Sequence, residues 1–122
     1  MKKILIVDDR SEVRELVEVT LRAKDYEILQ ASTGEKALEI VQVEKPDLIL
    51  MDIMMPGGMD GLEATRILKN NPDTKDCTII ILTAKGQKTD REKGLEAGAE
   101  DYFVKPFSPL DLIKKVEEAL ET

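Results

Sequence analysis

The chain has 122 residues, 42% of them hydrophobic, and carries a formal net charge of −7 with no histidine and a single cysteine. A chain of this length can bury one core without staples, and the lone Cys77 excludes an internal disulfide framework. The acidic balance, with no basic patch interleaved with aromatics, argues against direct nucleic-acid binding, and no apolar stretch approaches the length of a membrane span.

Residues 4–7 form a continuous apolar run, the mark of a strand buried on both faces, and the run ends in Asp8 and Asp9. Val13, Leu16, Val17, Thr20 and Leu21 then recur at helical spacing, with Ser11 as the expected N-cap. Residues 26–31 mix polar and apolar side chains as an edge strand would, and Ser32-Thr33-Gly34-Glu35 has the form of a capping box before Ala37, Leu38 and Val41. Pro46-Asp47 marks a turn into a strand over 48–51 that runs into Asp52. Asp60-Gly61-Leu62-Glu63 opens a third helix that ends near Asn70, where Asn71-Pro72-Asp73 breaks it. A strand over 78–82 runs into Thr83. Thr89 and Glu92 then read as the capping box of a fourth helix that Gly98 closes. The last strand, over 102–104, delivers Lys105 and then Pro106, and Ser108-Pro109 supplies a cap and an N1 proline for a fifth helix bearing Leu112, Ile113, Val116 and Leu120.

Five strands alternating with five helices predict an α/β fold: a doubly wound, five-stranded parallel sheet of flavodoxin-like order 2-1-3-4-5 with right-handed crossovers. Residues 1–122 are expected to form one domain. Ligands in such sheets bind at the carboxyl ends of the strands, at the switch point between the first and third, so Asp8 and Asp9 should face Asp52, with Thr83 and Lys105 beside them. Three carboxylates in one crevice raise one another's pKa values or are neutralised by cations. Against Asp8, Asp9 and Asp52 the crevice sets Lys105 alone, so it should want a divalent ion. With no histidine in the chain the ligands are oxygens, which favours Mg2+, with Mn2+ possible, over zinc. Met51, Met54 and Met55 read as core and loop residues, not as soft-metal ligands. The amino-terminal Met1-Lys2-Lys3 leads into a strand instead of a signal peptide, and a cytoplasmic protein is expected.

Val7-Asp8-Asp9, Met51-Asp52-Ile53-Met54-Met55-Pro56, Asp60-Gly61, Leu82-Thr83-Ala84 and Lys105-Pro106-Phe107 together resemble the signature of response-regulator receiver domains of two-component signalling, in order and along the whole chain. The resemblance implies that Asp52 accepts a phosphoryl group from a phosphohistidine on a sensor histidine kinase or phosphotransfer protein. It implies that Asp8, Asp9 and Asp52, with the backbone carbonyl of Met54, hold Mg2+. It further implies that Thr83 is the switch hydroxyl, that Lys105 contacts the phosphoryl group, that Tyr102 changes rotamer, and that the Lys105–Pro106 peptide is cis. Such a protein catalyses its own aspartyl phosphorylation and dephosphorylation yet serves as a switch, presenting a surface to a downstream protein target. A monomer or a weak phosphorylation-dependent dimer is expected. In this family the residues two past the acceptor and two past the switch threonine, here Met54 and Lys85, flank the path of attacking water. Neither can accept a hydrogen bond from that water, so slow self-dephosphorylation is expected.

Three other readings compete. A flavin-binding protein shares the topology but would need a hydroxyl- and glycine-rich phosphate loop where this chain has Asp8-Asp9-Arg10-Ser11. A phosphatase with an aspartyl nucleophile would place a second acid two residues after the first, where this chain has Arg10. A phosphorylation-independent, receiver-like interaction module is the strongest rival. No appended DNA-binding or catalytic domain is visible, which suggests a stand-alone receiver of the chemotaxis-regulator kind. The loop Pro56-Gly57-Gly58-Met59-Asp60 is one residue longer than the family's usual loop, and its glycines should let the insertion bulge locally.

Overall fold

The computed structural model describes residues 1–22, 24–55, 58–84 and 88–121. Strands β1 (Lys2–Val7), β2 (Tyr26–Ala31), β3 (Leu48–Asp52), β4 (Thr78–Ala84) and β5 (Asp101–Lys105) alternate with helices α1 (Ser11–Leu21), α2 (Gly34–Glu44), α3 (Gly61–Lys69), α4 (Lys88–Glu96) and α5 (Pro109–Leu120). They form one parallel sheet of order β2-β1-β3-β4-β5. This is the architecture that the alternation of apolar runs and helical periods predicts.

Alternate residues of the central strands feed two cores, one on each face of the sheet. Leu5, Val7, Ile49, Met51, Ile79 and Ile81 pack with Ala37 and Val41 of α2 and with Leu62, Ala64 and Leu68 of α3. Ile4, Ile6, Leu48, Leu50, Ile80 and Leu82 pack with Val17 and Leu21 of α1 and with Leu112 and Val116 of α5. Each fully buried leucine or isoleucine contributes on the order of 1.5–3 kcal/mol, and burial on both faces explains why these runs show no polar alternation. Helix α4 is the exception. Of its own residues only Gly94 is buried, lying where a Cβ would stand 3.0 Å from Ile81 Cγ1. A polar helix seated on a glycine gains little from burial and belongs to the weakly held part of the fold.

The helix starts differ from expectation in three places. The N-cap of α1 is Arg10, with no side-chain cap bond, and Ser11 is the first helical residue. Its hydroxyl instead contacts the Glu12 carboxylate at 3.2 Å. Thr33, not Ser32, caps α2, accepting from the Lys36 amide, so the reciprocal Ser32–Glu35 box does not form. Helix α4 begins at Lys88, which puts Thr89 inside the first turn instead of at the cap. The remaining caps are as read: Asp60 accepts from Glu63 N, Ser108 accepts from Asp111 N with Pro109 following, and Gly98 (φ +112°) closes the segment after α4. The Lys105–Pro106 peptide is cis.

Candidate functional site

Register builds the site. In the β1–β3 pair Val7 lies beside Met51, so one step further along the chain Asp8 comes up beside Asp52. In the β4–β5 pair Thr83 lies beside Val104 and Ala84 beside Lys105, which brings the hydroxyl and the ammonium to the same edge of the sheet. Carboxylate oxygens of Asp8, Asp9 and Asp52 lie within 4.8 Å of one another. Asp8 is completely buried and Asp52 is 5% exposed, whereas Asp9 is open to solvent. A cleft of about 280 Å3 is lined by Asp9, Arg10, Asp52, Ile53, Met54, Leu82, Thr83, Ala84, Asp90 and Lys105.

Buried charges persist only when paired. Lys105 Nζ reaches Asp8 Oδ2 at 2.9 Å and Asp52 Oδ1 at 3.2 Å, a bridge between the two buried acids. Asp8 Oδ1 accepts from the Arg10 amide at 2.9 Å, and Arg10 Nε lies 3.7 Å from the same oxygen. The Asp8 backbone is fixed as well: its amide donates to Ala31 O, and Arg14 Nη1 donates to its carbonyl at 2.7 Å. Arg14 is itself held by Gln30 at 3.0 Å, so β2 and α1 together hold the first acid in place. Asp52 is positioned by close approach. Gly61, the first residue of α3, lies so near the Asp52 carbonyl that a Cβ there would collide with it, and the Gly61 amide donates to Ile53 O at 3.0 Å.

Burial pushes the Asp52 carboxyl pKa upward; the Lys105 ammonium opposes the shift, and the Asp8 and Asp9 charges reinforce it. Thr83 Oγ1 is buried without a hydrogen-bond partner, the one such side-chain atom among the described residues. The buried hydroxyls of Thr65 and Thr74 donate to Gly61 O and Leu68 O, so the unpaired hydroxyl is a feature of the cleft and not of the fold at large. Unmade hydrogen bonds of this kind cost about 1–3 kcal/mol, and a polar group arriving in the cleft would recover that.

The structure thus brings together Asp8, Asp9, Asp52, Thr83 and Lys105, as the sequence reading expected. Met54 lines the cleft and is 73% exposed, and its carbonyl accepts no hydrogen bond among the described residues. Tyr102 is half-buried, with the Arg91 guanidinium 5.3 Å from its ring centroid. Lys85, and Pro56 and Gly57 of the long loop, lie outside the described residues. Of the rest of that loop, Met59 packs against Gly34 at the start of α2. Two cleft residues escaped the sequence reading. Arg10 follows the acid pair directly and was visible as a neighbouring cation, while Asp90 sits seven positions beyond Thr83 on another helix and no motif points to it. The three clustered carboxylates form a hard oxygen donor set, which fits magnesium and not a soft or imidazole-seeking metal.

Comparison with known proteins places this arrangement. The family described as "Response regulator receiver domain" matches residues 4–117. The chain is 45% identical over 119 residues to the phosphate regulon transcriptional regulatory protein PhoB of Pseudomonas aeruginosa, covering 98% of this chain and 52% of that protein. The chain spans about half the length of the curated relatives it matches. A putative response regulator from Chloroflexus aurantiacus superimposes with a TM-score of 0.94 at 38% identity, covering 99% of this chain and 98% of that one. The receiver domain of the P. aeruginosa sensor histidine kinase PA1611, solved with magnesium coordinated in its active-site cleft, superimposes with a TM-score of 0.90 at 31% identity over 99% and 98% of the two chains. Fold, motif order and whole-length similarity agree: the chain belongs to the response-regulator receiver domains of two-component signalling.

Proposed function

We propose that Asp52 is the phosphoacceptor of this receiver and that Asp8, Asp9, Asp52 and the Met54 carbonyl hold Mg2+ beside it, Mn2+ serving as a substitute. The observation that carries the reading is the juxtaposition, in one cleft, of an acid triad with two buried members, an ammonium bridging those two and a buried hydroxyl with nothing to bond. The phosphoryl donor is a phosphohistidine on a histidine kinase or phosphotransfer protein. An Asp52 oxygen attacks phosphorus in line; the bond from phosphorus to the donor imidazole nitrogen breaks, and that nitrogen keeps the electron pair. Lys105 Nζ, already 3.2 Å from Asp52 Oδ1, moves its hydrogen bonds onto the phosphoryl oxygens, where they are charge-assisted. Magnesium, when bound, supplies Lewis-acid neutralisation of charge on those same oxygens.

The product brings roughly two negative charges and several acceptor oxygens into the cleft. Thr83 Oγ1 then gains the partner it lacks. Its movement opens space into which Tyr102 turns, and the face of α4, β5 and α5 changes for a downstream protein target. The readout is a shift in population between two arrangements. The deciding test is incubation of the chain with acetyl phosphate and Mg2+, followed by intact mass. The natural protein should gain one phosphoryl group, and Asp52→Asn should gain none while remaining folded. Labelling of the variant at a comparable rate would overturn the assignment, and an inert natural protein would leave a phosphorylation-independent interaction module as the better account.

A further inference from the structure

Arg10 stands at the mouth of the cleft with no assigned task. Its guanidinium is only loosely committed: Nε is 3.7 Å from Asp8 Oδ1, longer than a hydrogen bond, and the side chain is 56% exposed. It lines the acid cleft together with Asp52 and Thr83, and also an adjoining cleft of about 410 Å3 with Val13, Leu16, Ala84, Lys105, Pro106 and Phe107. The Arg10 side chain therefore borders open volume in two clefts. Asp8 itself is fully buried, with Oδ2 taken by Lys105 and Oδ1 by the Arg10 amide. A cation bound at Asp8 Oδ1 would have the Arg10 guanidinium, 3.7 Å from that oxygen, as a like-charged neighbour.

We propose that Arg10 is a second phosphoryl-binding cation of this site and that, before a donor arrives, it competes with the divalent ion for Asp8. The inference rests on the phosphoacceptor reading of Asp52 and extends it to how charge is traded in the cleft. Two opposed consequences follow from the one placement. A positive charge beside Asp8 disfavours a divalent cation at the same carboxylate, so Arg10 weakens metal binding. The same charge favours a dianionic phosphoryl donor in the cleft, and a guanidinium can hold two phosphoryl oxygens at once through its planar fork, which an ammonium cannot. In phosphoryl transfer from acetyl phosphate, the bond from phosphorus to the acetate oxygen breaks, acetate leaves with the electron pair, and the new bond forms to Asp52. Arg10 neutralises oxygen charge through that exchange and moves no proton. Lys105 serves from the inner side of the cleft and Arg10 from its rim.

The test uses the whole chain and its Arg10→Gln and Arg10→Lys variants. Glutamine preserves the backbone amide bond to Asp8 and replaces an exposed side chain that makes no cap bond, so the fold is retained. Mg2+ affinity is read by calorimetry, and acetyl phosphate labelling is followed by intact mass at saturating Mg2+. Arg10→Gln should bind Mg2+ about 3- to 10-fold more tightly, the effect expected of one partly screened charge a few ångström from the ion. It should accept phosphate from acetyl phosphate about 5- to 10-fold more slowly at low donor concentration. Arg10→Lys should restore the natural metal affinity and recover the labelling rate only in part. Opposite movement of the two quantities is the signature, since structural damage would weaken both. If both fall together, or neither moves, the inference is overturned while the Asp52 reading stands. If the natural chain itself takes no phosphoryl group, the Asp52 reading fails instead.

Discussion

Asp52→Asn should stabilise the protein without divalent metal and lose that advantage when metal is present. The cause is the crowding of charge around a side chain that is only 8% exposed. At an effective dielectric constant of about 20, two carboxylate charges at the outer limit of 4.8 Å repel by about 3.5 kcal/mol, and Lys105 at 3.2 Å attracts by about 5 kcal/mol. Repulsion from both Asp8 and Asp9 thus exceeds the attraction by about 2 kcal/mol, before burial adds its own penalty. The direction agrees with the pKa of Asp52, which lies above its ordinary value because of burial first, with Asp8 and Asp9 adding to it against Lys105. When the folded-state pKa is raised, the penalty is absent below the unfolded pKa. It grows as pH rises between the unfolded and folded values and stays complete above them. Above the folded-state pKa the metal-free natural protein carries all of it. Replacement by asparagine should therefore raise stability in chelator by about 1–2 kcal/mol, or roughly 4–8 °C in Tm for a domain of this size. The two proteins should converge as pH falls below the carboxylate range. Magnesium at about one hundred times its Kd adds about 2.7 kcal/mol to the natural protein and less to a variant missing one ligand, which reverses their order. Urea unfolding with chelator and with Mg2+ decides the matter. A variant less stable than the natural protein in chelator, or equal gains from Mg2+ in both, would refute the reasoning.

Gly61→Ala should cost about 2–3 kcal/mol and blunt the Mg2+-dependent rise in Tm, because the added Cβ strikes the Asp52 carbonyl and must push the acceptor out of place; stability and metal response both unchanged would count against that packing account. Arg91→Ala, which removes the cation from the Tyr102 ring, should enlarge the spread of amide shifts over residues 84–110 when beryllofluoride is added, since less holds the ring in its resting place; shifts confined to the metal ligands in both proteins would argue against the Thr83–Tyr102 switch. The exposed Met54 thioether cannot orient water by accepting a hydrogen bond as asparagine can, so the phosphorylated natural protein should decay several-fold more slowly in Mg2+ than a Met54→Asn, Lys85→Glu variant; equal decay by mass spectrometry would reject shielding by these residues.

What the sequence disclosed and what it withheld divide along a physical line. Asp8, Asp52 and Thr83 were legible because each ends or follows a run of residues buried on both faces, Lys105 because it ends the half-buried edge strand β5, and parallel topology carries the ends of such strands to one edge. A strand buried on both faces tolerates few substitutions in type, so its signal is strong in a single chain. Helix starts were less legible. Ser32 and Thr33 both have the chemistry of a cap, and the choice between them depends on where α2 meets the sheet; Thr33 forms the bond to Lys36 N. At α4 the pattern Thr89-x-x-Glu92 imitates a capping box, yet the helix starts a residue earlier at Lys88. With only Gly94 of the helix buried, no apolar stripe existed to set its phase. The same weakness hid Asp90, whose place in the cleft depends on how α4 lies against β4 and not on any spacing in the chain. Arg14 was hidden differently: it reads as one more polar residue on α1, and its bonds to the Asp8 carbonyl and to Gln30 of the neighbouring strand depend on how α1 packs on the sheet. Residues placed by strand register can be found from the chain alone, whereas those placed by helix docking cannot. In this receiver the acids and their lysine are of the first kind, and Asp90, which lines the cleft from the weakly held α4, is of the second. An electrostatic change at Asp52 therefore meets a deeply buried sheet on one side and, on the other, a helix with one buried residue of its own.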